Sequence, residues 1–228
     1  MQNIAATFHE PKTGGKVCRA LMLLAAGIVA CLFSACENGV KDTSRTFTGV
    51  VLDAGHGGHD NGTTSRYAGR EKDATLDVVM RLRPKVSGAG FRTALTRSDD
   101  TFIPLATRAA ISNRNHNVIF VSVHFNDSPR GGIRGTEVYY NSQCSARIAQ
   151  NILNEVAAVS GSSRGIHTAN FAVLRRAQYP AVLVECGYFS NPAEGRRCGS
   201  GDYHEQLAEA ISRGISIQRH GAGSLGAE

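Results

Sequence analysis

Hydrophobic positions along the chain fall into two rhythms. Short continuous runs at residues 48–52, 118–123 and 181–184 (Thr-Gly-Val-Val-Leu, Val-Ile-Phe-Val-Ser-Val and Ala-Val-Leu-Val) predict strands covered on both faces. Residues 91–96 and the alternating stretch 135–140 predict two more, and 172–174 a further short strand. Between them, apolar residues recur at helical spacing over 72–86, 105–115, 146–159 and 204–217. Gly88 and Gly90 stop the first helix, and Pro84 inside it predicts a kink or an early end. Strands alternating with helices imply one α/β domain over residues 47–218, a three-layer α/β/α sandwich with a mixed, mostly parallel sheet. In such sheets the loops at the carboxyl ends of the strands carry the chemistry. The Gly-rich segment 219–228 is expected to be a flexible tail.

The beginning of the chain follows neither rhythm. Lys12, Lys16 and Arg19 precede an apolar run of 14 residues, 20–33, shorter than the roughly 20 that span a bilayer. A basic region, a short apolar core and small residues after it describe a secretory signal. The run closes on Leu32-Phe33-Ser34-Ala35-Cys36, which resembles the lipobox of a bacterial lipoprotein. Residues 1–35 are thus expected to be a lipoprotein-type signal peptide, Cys36 the lipidated residue and 36–46 a tether. Glu37 does not match the Asp that retains lipoproteins at the inner membrane, which favours a periplasmic domain anchored to the outer membrane.

Composition narrows the partners. The 228 residues carry a formal charge of +6 and no Trp, so a Trp-based sugar platform is absent. The basic residues are scattered and form no arm or helix of the kind that tracks phosphates, which leaves no nucleic-acid footprint. Of six cysteines, Cys144, Cys186 and Cys198 fall in the predicted domain. No CxxC occurs, which argues against a cysteine-ligated metal or a redox motif. A Cys144–Cys198 bridge is one possible pairing.

Three predicted strands end in metal-competent or acid–base groups: the first at His56, the third at His124 and a late one at Glu185. Glu71 opens the helix that follows the first Gly-rich loop. Two imidazoles and a carboxylate suit a single catalytic Zn2+ with a coordination position left for water. A further carboxylate outside the ligand set could then move the proton that amide cleavage requires. His56, Glu71 and His124 could be the ligands and Glu185 the acid–base group, although their spacing alone does not fix those roles. Glu185 ends an Ala-Val-Leu-Val run, where an unpartnered carboxylate is costly, so it needs a cation or a proton. Asp60 could orient a zinc histidine or close an Asx turn. Arg108 is expected to hold a buried carboxylate, Asn126 to fix the loop after His124, and His167 to stand near substrate. Cys186, one residue beyond Glu185, should face the other way.

Several stretches carry a resemblance. Val51-Leu-Asp-Ala-Gly-His-Gly-Gly58, Gly69-Arg-Glu-Lys-Asp73, Leu95-Thr-Arg97, Val121-Ser-Val-His-Phe-Asn126, Gly135-Thr-Glu-Val-Tyr-Tyr140, Arg164-Gly165 and Pro180-Ala-Val-Leu-Val-Glu-Cys-Gly-Tyr-Phe-Ser-Asn191 resemble, in order and spacing, the zinc amidases called amidase type 3. The resemblance implies that His56, Glu71 and His124 bind zinc and that Glu185 is catalytic. It also implies the activity of an N-acetylmuramoyl-L-alanine amidase, which cleaves the amide between N-acetylmuramic acid and L-Ala in peptidoglycan. Only residues 125–134 separate His124 from the next strand, which implies a compact form without the inserted helix that plugs some envelope amidases. The residues themselves support only zinc-assisted amide hydrolysis. A peptidase acting within the stem peptide and a non-catalytic glycan-binding envelope protein are the alternatives.

Overall fold

The computed structural model describes residues 39–221. The expected signal peptide and the lipidation at Cys36 lie outside them, as does the end of the expected tail. Among the described residues no helix is long and apolar enough to cross a membrane.

The strands of the main sheet are β1 (Gly49–Ala54), β4 (Arg92–Leu95), β5 (Val118–Asn126), β6 (Thr136–Tyr140), β7 (Ser163–Thr168) and β8 (Ala181–Tyr188). Their spatial order is β4-β1-β5-β8-β6-β7. The first four run parallel; β6 reverses against β8, and β7 follows β6. A small hairpin, β2 (Thr64–Ser65) and β3 (Gly69–Arg70), precedes the first long helix. The helices are α1 (Glu71–Gly88), α2 (Leu105–Asn113), α3 (Ala146–Ser160), the single turn α4 (Ala172–Arg175), α5 (Pro192–Cys198) and α6 (Gly201–His220). The α/β class with a mixed, mostly parallel sheet is the observed one.

Alternation along the central strands sorts residues onto two faces. Val50, Leu52, Ile119, Val121, Val182 and Val184 point into the larger core, where α1, α3 and α6 cover the sheet. Val51, Phe120, Ala181 and Leu183 point the other way, into a smaller core beneath α2 and α4. Helix α3 ends where Gly161 takes a left-handed φ of 73°, a conformation glycine adopts without Cβ strain. Helix α1 passes through Pro84 and reaches Gly88. Pro84 and Met80, the residue whose carbonyl it leaves unbonded, both lie on the solvent side, where water can satisfy that oxygen.

Four expectations need correction. Residues 172–174 form the helical turn α4, not a strand; a three-residue apolar run does not distinguish the two periods. The segment expected as a tether is packed from Val40 onward. Val40 and Ser44 are buried, Thr43 Oγ1 donates to the Val118 carbonyl at 2.6 Å and Gln218 Nε2 donates to that of Ser44 at 2.7 Å. The expected tail begins too early, because α6 runs to His220 and Arg219 Nε donates to the Phe47 carbonyl at 3.1 Å. Finally, the Cys144–Cys198 bridge does not form: Cys198 is a free buried thiol, like Cys186. Cys144 neighbours Ser145, whose Oγ accepts from Ala181 N at the start of β8, whereas a Cβ on Gly187 near the end of β8 would meet Cys198 Sγ. Six strand residues separate those ends by about 20 Å, far beyond disulfide reach.

Candidate metal centre

The strand order brings the carboxyl ends of β1, β5 and β8 side by side, and three chain segments deliver the cluster there. His56 lies in the loop after β1, Glu71 is the first residue of α1, and His124 lies near the end of β5. One donor atom from each lies within 4.8 Å of the others. His56 Nε2 is 3.1 Å from Glu71 Oε1, His124 Nδ1 is 3.0 Å from the same oxygen, and the two imidazoles meet edge to face at 4.9 Å. Glu71 is held from behind as well: Thr63 N donates to Oε2 at 2.9 Å and Phe125 N to Oε1 at 3.1 Å.

Two glycines make room for this crowding. A Cβ on Gly55 would fall 2.3 Å from the His124 ring, and one on Gly62 would fall 2.6 Å from Glu71 Oε2. His56 itself has a φ of 62°, a strained region for a residue with a Cβ. Two buried arginines hold it there. Arg97 donates to the carbonyls of Ala54 and Gly55 and, across the loop, to that of Lys72. Arg108 donates to the carbonyls of Ala54, His56 and Ile103, and its Nη1 pairs with Asp53 at 2.8 Å. Asp53, fully buried, also accepts from Thr96 Oγ1 and Ser122 Oγ, each at 2.6 Å. Farther along the loop, Lys72 Nζ donates to the Gly58 carbonyl and to Asp100.

Asp60 makes both contacts considered for it. One oxygen sits 2.9 Å from His56 Nδ1, and the other accepts from Gly62 N in an Asx turn. A carboxylate on Nδ1 leaves Nε2 aimed into the cluster and makes it a stronger donor to a cation. Burial by itself depresses the His56 imidazole, but Glu71 and Asp60 outweigh it and raise it above its ordinary value. Burial would likewise raise the Glu71 carboxyl; the hydrogen bonds from His124 and His56 overcome this and hold it far below the usual carboxylate range. The cluster therefore concentrates acceptor character on one carboxylate between two imidazoles. These donors fit Zn2+, whose bonds to imidazole nitrogen and carboxylate oxygen are about 2.0–2.2 Å.

Glu185 pairs in register with His124 on the neighbouring strand, and its Oε2 is buried without a hydrogen-bond partner. Burial first, then the charges of Glu71 and Glu137, push its carboxyl well above the ordinary value. It lines a cleft of about 480 Å3 together with His56, His124, Phe102, Leu105 and Phe171. Cys186 lies on the opposite face, buried in the larger core, and its thiol is raised by that burial.

The remaining candidates fall elsewhere. Asn126 follows an irregularity in the β5–β8 pairing; its Nδ2 donates to Glu137 Oε2 at 3.1 Å and its Oδ1 accepts from Asp127 N. His167 lies on β7, beyond β6 from Glu185, with Nε2 3.1 Å from the Arg164 carbonyl oxygen. It is not among the residues lining the cleft. Sequence reasoning gave no role to Asp53, Lys72, Arg97, Asp100 or Glu137. Most of their partners are backbone atoms or residues remote in sequence, which leave no residue-type pattern.

The three-layer α/β domain thus brings two histidines and one carboxylate close enough to share a metal ion, beside a spare buried carboxylate. The chain belongs to the N-acetylmuramoyl-L-alanine amidase family, amidase type 3, whose model matches residues 50–217. It is 35% identical over 171 residues to YqiI of Bacillus subtilis, covering 73% of this chain and 82% of that one. It is 31% identical over 170 residues to the N-acetylmuramoyl-L-alanine amidase LytC of Bacillus subtilis, covering 72% of this chain but 34% of LytC. The catalytic domain of CwlV, an N-acetylmuramoyl-L-alanine amidase from Bacillus (Paenibacillus) polymyxa, superposes with a TM-score of 0.70 at 35% identity, covering 74% of this chain and 96% of that one.

Proposed function

We propose that this protein hydrolyses the amide between the lactyl group of N-acetylmuramic acid and L-Ala in peptidoglycan, with one Zn2+ held by His56, Glu71 and His124. The observation that carries the reading is the orphaned Glu185 Oε2, beside a cluster of three donors within 4.8 Å. Family membership supplies the substrate. When bound, zinc supplies Lewis acidity that polarises a carbonyl and acidifies water. Glu185 takes the proton of the attacking water and returns it to the departing nitrogen, which would otherwise leave as a poor amide anion. Asp60 keeps His56 turned toward the centre, and Phe102 and Phe171 line the same cleft as Glu185.

Digestion of purified peptidoglycan, analysed by mass spectrometry with and without chelator, tests this. The expected product is free stem peptide beginning at L-Ala, lost on chelation and restored by Zn2+, and His56→Ala and His124→Ala are expected to lose the metal. Cleavage inside the stem peptide, or undiminished release in chelator, overturns the assignment. The same reading places the protein in the cell envelope, with Cys36 acylated; accumulation of a larger precursor under globomycin is the expected sign of that anchor.

A further inference from the structure

Beyond Glu185 the site face of the sheet continues across β6 to the edge strand β7, where the structure builds a second charged group. Glu137 pairs in register with Glu185 across the β6–β8 ladder and is itself 4% exposed. Four side chains serve it. Tyr139 Oη donates to Oε2 at 2.6 Å, Asn126 Nδ2 to the same oxygen at 3.1 Å, Tyr188 Oη to Oε1 at 3.2 Å, and Arg164 Nε to Oε1. Burial works against its ionised form, but Tyr139, Arg164 and Tyr188 together hold the carboxyl below its ordinary value. A carboxylate this fully satisfied has no capacity left for proton transfer.

What it does is fix Arg164. The guanidinium is tied to Glu137 through Nε and lies over the Tyr188 ring at 5.8 Å, yet the side chain stays 43% exposed. An arginine anchored through Nε can offer both Nη atoms as a preset fork, the geometry that matches a carboxylate. We propose that Arg164, positioned by Glu137, recognises a carboxylate on the peptide side of the scissile amide. This rests on the hydrolase reading above. Two strand spacings, about 10 Å, separate β8 from β7. Two extended residues span about 7 Å, and an acidic side chain covers the rest. The charge also chooses the half of the substrate. N-acetylmuramic acid joined through its lactyl carbonyl is uncharged, whereas an acidic residue second from the cleaved bond brings the anion.

The test compares N-acetylmuramoyl-L-alanyl-D-glutamate with the same molecule carrying both glutamate carboxylates as amides. The wild type is expected to favour the acid by about tenfold in kcat/KM, mainly through KM, a step of the size one charged hydrogen-bonded contact supplies. Arg164→Gln should reduce that preference to about one by raising KM for the acid. Arg164→Lys should keep part of it, and Glu137→Gln should lose most of it with Arg164 still present. L-Alanyl-D-glutamate should inhibit the wild type competitively while its diamide does not, which reports on the contact even if a variant fails to fold. An unchanged preference in Arg164→Gln, or equal rates on both substrates in the wild type, overturns the role of Arg164 and leaves the hydrolase intact. A wild type that cleaves neither overturns both.

Discussion

The same three strands present different materials to the two sides of the sheet. On the α1/α3/α6 side β1, β5 and β8 show Leu52, Ala54, Val121, Val123, Val184 and Cys186, apolar to their carboxyl ends and fully buried. On the α2/α4 side they begin as apolar, at Val51, Phe120 and Leu183, and then turn to Asp53, Ser122, His124 and Glu185. The first side is an ordinary core whose loss would be felt everywhere. The second gives up apolar burial at the strand ends and replaces it with a buried ion pair, a metal-competent cluster and one unsatisfied carboxylate. Stability and chemistry are thus separated by a single step along each strand, and adjacent residues should fail in different ways.

Substitutions on the two sides sharpen this contrast. The largest effect expected is on turnover: Glu185→Ala should lower kcat by roughly 10²–10⁴, the range for removing a general acid–base group, with zinc content unchanged. Normal turnover in that variant would remove Glu185 from the mechanism. Asp53→Ala should follow, because it leaves Arg108 buried beside no counter-charge; about 3–5 kcal/mol of stability is at stake, measured by denaturant unfolding. Ile211→Ala, in α6 on the opposite side, should cost about 2–5 kcal/mol through the cavity it leaves, while activity per folded molecule stays the same. If Ile211→Ala changed KM or metal content, the division between the two sides would be wrong.

The smallest effect is a pH dependence of the metal-free protein. The folded Glu185 carboxyl is raised above its ordinary value near 4.5, so in that interval the folded state holds a proton that the unfolded chain has released. Stability contributed by Glu185 must then fall as pH rises above that value. Glu185→Gln cannot release a proton, so its melting temperature should decline less steeply over the same range. Parallel curves for the two proteins would show that Glu185 does not titrate as its surroundings dictate.

Periodicity made much of the frame legible. The runs at β1, β5 and β8 are continuous because both faces are covered, and helices α3 and α6 carry apolar stripes broad enough to see. Strand β7 was missed because it lies at the edge, reads Ser-Arg-Gly-Ile-His-Thr and buries little. Helix α5 was missed although Asn191, accepting from Ala193 N and Glu194 N ahead of Pro192, is a strong start signal; its seven residues are too few for a period to register. Within the centre, His56, His124 and Glu185 were visible because a polar residue at the end of an apolar strand stands out. Glu137 was not, because its neighbours alternate and its four partners come from four different strands.

One feature of the centre bears on how freely the loop carrying His56 can vary. Arg97 and Arg108 grip that loop by the carbonyl oxygens of Ala54, Gly55 and His56, which every amino acid supplies alike. A library randomised over His59 and Asn61 should therefore yield many functional clones, because the path of the loop does not depend on their side chains, whereas Gly58, with a φ of 59° and a Cβ that would fall 2.9 Å from Phe102 N, should be recovered mostly as glycine. Randomising the two arginines should yield almost none.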